Sequence, residues 1–134
     1  MVAKVARYLV DEDVSPKPIG LIRQLGYEVE RVQPGTQDPE IIRLLGDNHG
    51  SRGVWITADK SAITDHRDEI KSAGISMAIL DVNNALRKTQ SFLVFSFIYR
   101  RDGLIGSTNS PLYFKLELRG SKLGPNVRIQ SFDL

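Results

Sequence analysis

The chain contains no cysteine. Disulfides and thiolate metal sites are therefore excluded, and the redox compartment leaves no trace in it. Histidine is nearly as scarce, with two residues, and tryptophan occurs once. No stretch reaches the ~18 uninterrupted apolar residues that a membrane helix needs, so no membrane partner is expected. The opening residues M-V-A-K-V-A-R-Y-L-V place charges inside their only apolar stretch, with no small-residue cleavage site after it. That pattern argues against a signal peptide, and a cytoplasmic location is the expectation. Internal repeats and low-complexity tracts are also missing.

What is present suits one globular domain. The 134 residues, 41% hydrophobic and 25% charged, are enough to close a core without staples. The net charge of +2 hides an uneven distribution. Residues 1–81 carry 10 Lys/Arg against 13 Asp/Glu, and residues 82–134 carry 8 against 3. An acidic half joined to a basic half suits a cation site beside a surface for a polyanion, although small domains also reach such asymmetry by chance.

Apolar runs alternate with helical periodicity through the acidic half. Val5–Val10 reads as a strand and Pro16–Leu25 as a helix, with Ile19, Ile22 and Leu25 on one face and Gly26 as its stop. Tyr27–Val32 is a second strand. Asp38-Pro39-Glu40 opens a helix with an acid at its cap and proline at its first position. Gly46–Gly53 reads as a polar loop, Gly53–Thr57 as a third strand, and a helix runs on to about Lys71. Ile75–Leu80 is a fourth strand ending at Asp81. This alternation predicts parallel pairing and an α/β layered fold.

Beyond Asp81, Asn84–Arg101 reads as a helix ending in the basic Tyr99-Arg100-Arg101, and residues 103–110 as a flexible loop. Tyr113–Arg119 and Val127–Phe132 form a hairpin around Gly120–Asn126. The expected organisation is a single domain over 1–134, with a core to residue 101 and a basic C-terminal extension over 102–134.

Ligands of open parallel sheets bind beyond the carboxyl ends of the strands. Asp11, Asp59 and Asp81 all terminate strands, and Asp38 at a helix start should face the same edge. So many carboxylates repel one another unless a divalent cation lies among them. Oxygen-only donors select Mg²⁺ or Mn²⁺. Asp38, Asp59 and Asp81 also suit helix caps. Glu12 and Asp13 read as solvated loop residues or caps, and His49 and His66 as surface residues without an acid-base partner. Lys60, beside Asp59, is placed to touch a phosphate.

The stretch L-V-D-E-D-V-S-P, followed by I-G-L-I-R-Q-L-G-Y-E-V-E-R-V, resembles the opening of PIN-like nuclease domains. The likeness continues at D-P-E-I-I, at G-V-W-I-T-A-D-K and at I-T-D-H-R-D-E-I-K-S-A-G-I. It is strongest over residues 5–81 and looks nearest to the VapC-type toxin ribonucleases. The resemblance implies a small three-layer fold with a mostly parallel central sheet. It implies Asp11, Asp38 and Asp59 as catalytic metal ligands, with Glu40 as a further member. Many relatives carry another acid two residues after the equivalent of Asp59. Here that position is Ser61, leaving Asp65 or Asp81 to substitute, or one metal ion in place of two.

The implied activity is Mg²⁺- or Mn²⁺-dependent RNA cleavage by the toxin of a bacterial toxin–antitoxin pair, held in check by an antitoxin protein. Lys60, Arg100, Arg101, Lys115, Arg119, Lys122 and Arg128 would hold the RNA backbone, and Tyr99 or Tyr113 would stack a base. Phe92, Phe95 and Phe97, spread around the long helix, point to a homodimer or an antitoxin groove.

Three other readings stay open. A PIN-like domain without catalysis would serve as an RNA- or protein-binding module. A phosphorylated receiver domain shares the acidic opening and would use Asp59 as acceptor, but it needs a lysine on a fifth parallel strand, which the sequence after Asp81 does not offer. The haloacid-dehalogenase phosphatase pattern is met by Asp11-Glu12-Asp13-Val14-Ser15, with its later lysine and paired acids poorly placed.

Overall fold

A computed structural model describes residues 5–81, 87–119 and 126–134. Their strands form one six-stranded sheet in the order β2-β1-β3-β4-β5-β6. β1 (Arg7–Val10) leads through α1 (Ile19–Gln24) to β2 (Glu28–Arg31), and α2 (Asp38–His49) crosses back to β3 (Gly53–Thr57). α3 (Ser61–Ala73) leads to β4 (Ser76–Leu80), and α4 (Arg87–Ser107) to β5 (Tyr113–Arg119) and β6 (Asn126–Ser131). The first five strands are mutually parallel, and only β6 is antiparallel. The mostly parallel α/β sheet expected from the alternation is present.

Helices cover both faces, giving three layers. On one side α1 and α4 pack Ile22, Leu93, Val94 and Phe97 against Tyr8, Val10, Ile56 and Leu80. On the other, α2 and α3 pack Ile41, Leu45 and Ile70 against Trp55, Met77 and Ile79. β3 and β4 are buried at every residue, as strands covered on both faces must be.

Three expectations need correction. Residues 46–49 are not loop: α2 runs to His49, and a short 3-10 turn (Gly50–Arg52) follows. Gly46 lies so close to α3 that a Cβ there would stand 2.9 Å from Ala73 Cβ. This glycine lets two helices approach; it does not end one. Residues 103–107 are not loop either, because α4 continues to Ser107 and buries Ile105 completely in the core. Lastly, the Tyr113–Arg119 strand does more than form a terminal hairpin. It pairs with β4 in parallel, Met77 with Tyr113 through Leu80 with Leu116, and so supplies the fifth parallel strand that the sequence did not reveal. The hairpin partner β6 is also present, but the turn at 120–125, with Lys122, lies outside the described residues, as does the helix start at 84–86.

Among the described residues no helix is long and apolar enough to cross a membrane.

Candidate functional site

The chain doubles back at β1: β2 lies on one side of it and β3 on the other. Sheets of this order open a crevice at the carboxyl ends of β1 and β3. Asp11 sits there. Its main-chain N–H still donates to Ile56 at 2.8 Å, so the residue is fixed by the end of the sheet. Its carboxylate is almost wholly buried, with Oδ1 accepting the Glu12 main-chain N–H at 2.7 Å and Oδ2 the Trp55 indole N–H at 3.1 Å. Two donors hold the carboxyl group in one orientation, each leaving a lone pair to spare on its acceptor oxygen.

Asp59 follows β3. Its Oδ1 accepts both the main-chain N–H of Ser61 (2.9 Å) and the Ser61 hydroxyl (2.6 Å). This is a capping arrangement at the start of α3. Ser61 thus orients the Asp59 carboxylate through both its main-chain N–H and its hydroxyl. Asp38 is the first residue of α2, half-buried near the same edge.

Asp13 lies in the exposed turn after Asp11, as expected of a solvated loop residue. Its carboxylate nevertheless turns back onto the end of β3, accepting the Ala58 main-chain N–H at 3.3 Å and the Thr57 hydroxyl at 3.4 Å. The same Thr57 oxygen accepts the Asp59 N–H at 3.1 Å, so a buried threonine links the two acids. Burial first, and then the charges of Asp11 and Asp59, push the Asp13 carboxyl up to about 6. Asp38 is raised too, by burial and then Asp11, with Asp59 and Asp65 adding to it and His66 opposing.

His66 needs correction. Read as a surface residue without a partner, it lies between two acids, its Nε2 3.6 Å from Asp38 and its Nδ1 3.2 Å from Glu69. The backbone of α3 breaks at this residue (φ −128°, ψ 23°), so the helix is kinked where the imidazole reaches Asp38. Glu69 at i+3 is visible in the sequence; the contact with Asp38, 28 residues away, is not.

The remaining candidates divide. Asp65, exposed on α3, contributes to the field at Asp38. Glu40 is exposed and 3.9 Å from Arg43. Asp81 at the end of β4 is neutralised separately, by Lys60 and by Lys115 at 3.0 Å, and these two lysines hold its carboxyl below the usual range. Among the described residues no three acidic or histidine side chains already stand together as a coordination sphere. The acids nonetheless suit a hard cation chemically: they are oxygen donors, the charges of Asp11 and Asp59 add to the raised proton affinity of Asp13 and Asp38, and no lysine or arginine is among the influences on those two.

Several of the basic residues expected to hold RNA contact acids or carbonyls of the protein itself. Lys60 and Lys115 flank Asp81, and Lys115 also reaches Glu117 at 3.1 Å. Arg119 pairs with the same Glu117, opposite Arg128 in the register of β5 and β6. Arg100 donates to the Val127 carbonyl at 2.9 Å, tying α4 to β6, and Arg101 lies beside it. Tyr99 is exposed and stacks on Phe95. Tyr113 packs against Phe132 with ring centres 6.0 Å apart. Of the three phenylalanines on α4, Phe97 is core, whereas Phe92 is exposed and Phe95 partly so. No protein-family model matches the chain, and neither the curated proteins nor the solved structures compared with it contain a match.

Proposed function

We propose that the protein is a divalent-metal-dependent endoribonuclease of PIN-like type, the toxin half of a toxin–antitoxin pair, with Asp11, Asp38 and Asp59 as the acids that receive Mg²⁺ or Mn²⁺. One observation carries this reading. Desolvation first, and then the charges of Asp11 and Asp59, raise Asp13 and Asp38, with His66 opposing at Asp38, whereas Asp81, at the neighbouring strand end, is matched by two lysines. The fold thus neutralises one acid and leaves the others in conflict, as a cation site does before it is filled.

When bound, a divalent cation there would activate a water and stabilise charge on the scissile phosphate. The chain's own groups have distinct tasks. Trp55 and the Glu12 N–H aim the Asp11 carboxylate, Ser61 aims that of Asp59, and Asp13, with its raised proton affinity, is suited to take a proton near neutral pH. Lys60, next to Asp59, is placed to meet a phosphate.

The test is cleavage of single-stranded RNA with Mn²⁺ or EDTA by the parent, Asp11→Asn and Asp59→Asn. Cleavage that needs the metal and disappears in both variants supports the proposal. Cleavage that persists in EDTA, or none by the parent, contradicts it. RNA binding without cleavage, insensitive to EDTA, would favour an inactive PIN-like binding module.

A second reading has one observation in its favour. The strand order and the fifth parallel strand are those of receiver-type domains, with Asp59 in the acceptor position. The lysine on that strand, however, is bound to Asp81 and Glu117, and Asp59 is engaged by Ser61. Labelling by acetyl phosphate that Asp59→Asn abolishes would establish this alternative.

A further inference from the structure

Beside the acid cluster lies a cavity of about 360 Å³, lined by Lys60, Ile63, Ile79, Asp81, Lys115 and Phe132. None of the groups assigned to the metal opens into it, yet Lys60 immediately follows Asp59 in the chain. Its walls differ in kind. Ile63 from α3 and Ile79 from β4 supply apolar lining, and Phe132, whose ring packs against Tyr113, supplies an aromatic one. Asp81 with Lys60 and Lys115 forms a charged mouth in which the lysines are about half exposed and the carboxylate is largely covered.

We propose that this cavity is a nucleotide subsite, seating the base of one nucleotide against Phe132 and its phosphate on Lys60 and Lys115. The inference deepens the nuclease reading, and rests on it for the class of ligand. Its volume lies within the range of small-ligand sites, about 300–1,000 Å³. Sites for single strands combine an aromatic face for the base with cations for the backbone, and the two occur together here. A phosphate would take the lysines in exchange for Asp81, so the internal ion pairs act as a placeholder for the ligand. Glu117 also holds Lys115, so binding of a single nucleotide is expected to be weak.

The position also fits. Asp59 and Lys60 are adjacent, so a strand whose scissile phosphate faces Asp59 places its neighbouring nucleotide at the mouth of the cavity. The residues around the base, Ile63, Ile79 and Phe132, would then govern which base is accepted next to the cut.

The experiment is titration of AMP, CMP, GMP and UMP, and of inorganic phosphate, into the full chain in EDTA, followed by amide and methyl NMR shifts. At least one nucleotide should shift Ile63, Ile79 and Phe132 together. Phe132→Leu keeps the bulk but not the aromatic face, and should weaken that nucleotide by about tenfold. Lys115→Gln should also weaken it, and Asp81→Asn, which removes the carboxylate that both lysines must leave, should tighten it. No shift with any nucleotide overturns the inference. So does an equal response to inorganic phosphate that Phe132→Leu leaves unchanged, which would mark a simple anion site. Because the titration needs neither metal nor cleavage, its result stands apart from the nuclease test. Nucleotide binding without cleavage would refute the nuclease alone, and cleavage without nucleotide binding would refute the subsite alone.

Discussion

The indole N–H of Trp55 donates to Asp11 Oδ2 at 3.1 Å, joining the only tryptophan of the chain to the acid just past the end of its first strand. Trp55 is fully buried in β3, so the bond is shielded from water and fixes the Asp11 carboxylate from beneath. Trp55→Phe should cost about 2 kcal/mol, from a lost hydrogen bond to a charged group and a small void. It should also weaken Mn²⁺ binding. Urea unfolding followed by circular dichroism and a Mn²⁺ titration check both. Unchanged metal affinity would mean that the indole does not position Asp11.

Asp13 makes stability depend on pH in a stated direction. Its folded pKa of about 6 lies above the ordinary aspartate value of 3.8, so the native state binds this proton more tightly than the unfolded chain. Its contribution therefore improves as pH falls through about 6 and levels off below the unfolded value. At pH 7 the ionised group is a burden, and Asp13→Asn should melt higher than the parent there. The gap should shrink towards pH 4 (melting curves at matched pH read it directly). A variant that melts lower than the parent at pH 7 would mean the hydrogen bonds from Ala58 and Thr57 outweigh the repulsion.

Gly46 is needed for packing. An added Cβ would meet Ala73 Cβ at 2.9 Å and the Ala73 carbonyl at 3.2 Å, neither of which is the free end of a flexible side chain. Gly46→Ala gains up to about 1 kcal/mol of helix propensity, and overpacking costs about 1–3 kcal/mol. A net loss of about 1 kcal/mol is expected in urea unfolding. A stabilised variant would show that α2 and α3 can move apart freely.

The sequence was most informative where a pattern repeats locally. The first four strands were legible from their apolar runs, and the carboxyl-end rule put Asp11, Asp38, Asp59 and Asp81 at one edge without distinguishing Asp81, which two lysines hold. It was least informative where tertiary contact overrides local preference. Gly46 looks like the start of a loop and is a contact point between helices, and Gly103 and Gly106 look like a loop but lie in a helix held down by Ile105. Tyr113–Arg119 pairs on both sides, which alternation alone does not distinguish from an edge strand. At the site, the turn of Asp13 onto Thr57 and the reach of His66 to Asp38 depend on residues far apart in sequence. The neutralisation of Asp81 likewise required seeing Lys115 on the neighbouring strand.

The central claim is that the unneutralised acids form a cation site, and thermal unfolding of the parent and of Asp59→Asn, in EDTA and in Mn²⁺, tests it most directly. Asparagine caps a helix about as well as aspartate, so the substitution removes the charge and keeps the cap. In EDTA the two proteins should melt close together, with the variant equal or slightly higher. Mn²⁺ at a hundredfold excess over its dissociation constant stabilises a bound protein by about 2.7 kcal/mol, a rise of several degrees expected in the parent and absent from Asp59→Asn. A parent that does not respond to Mn²⁺, or a variant that responds equally, would contradict the account.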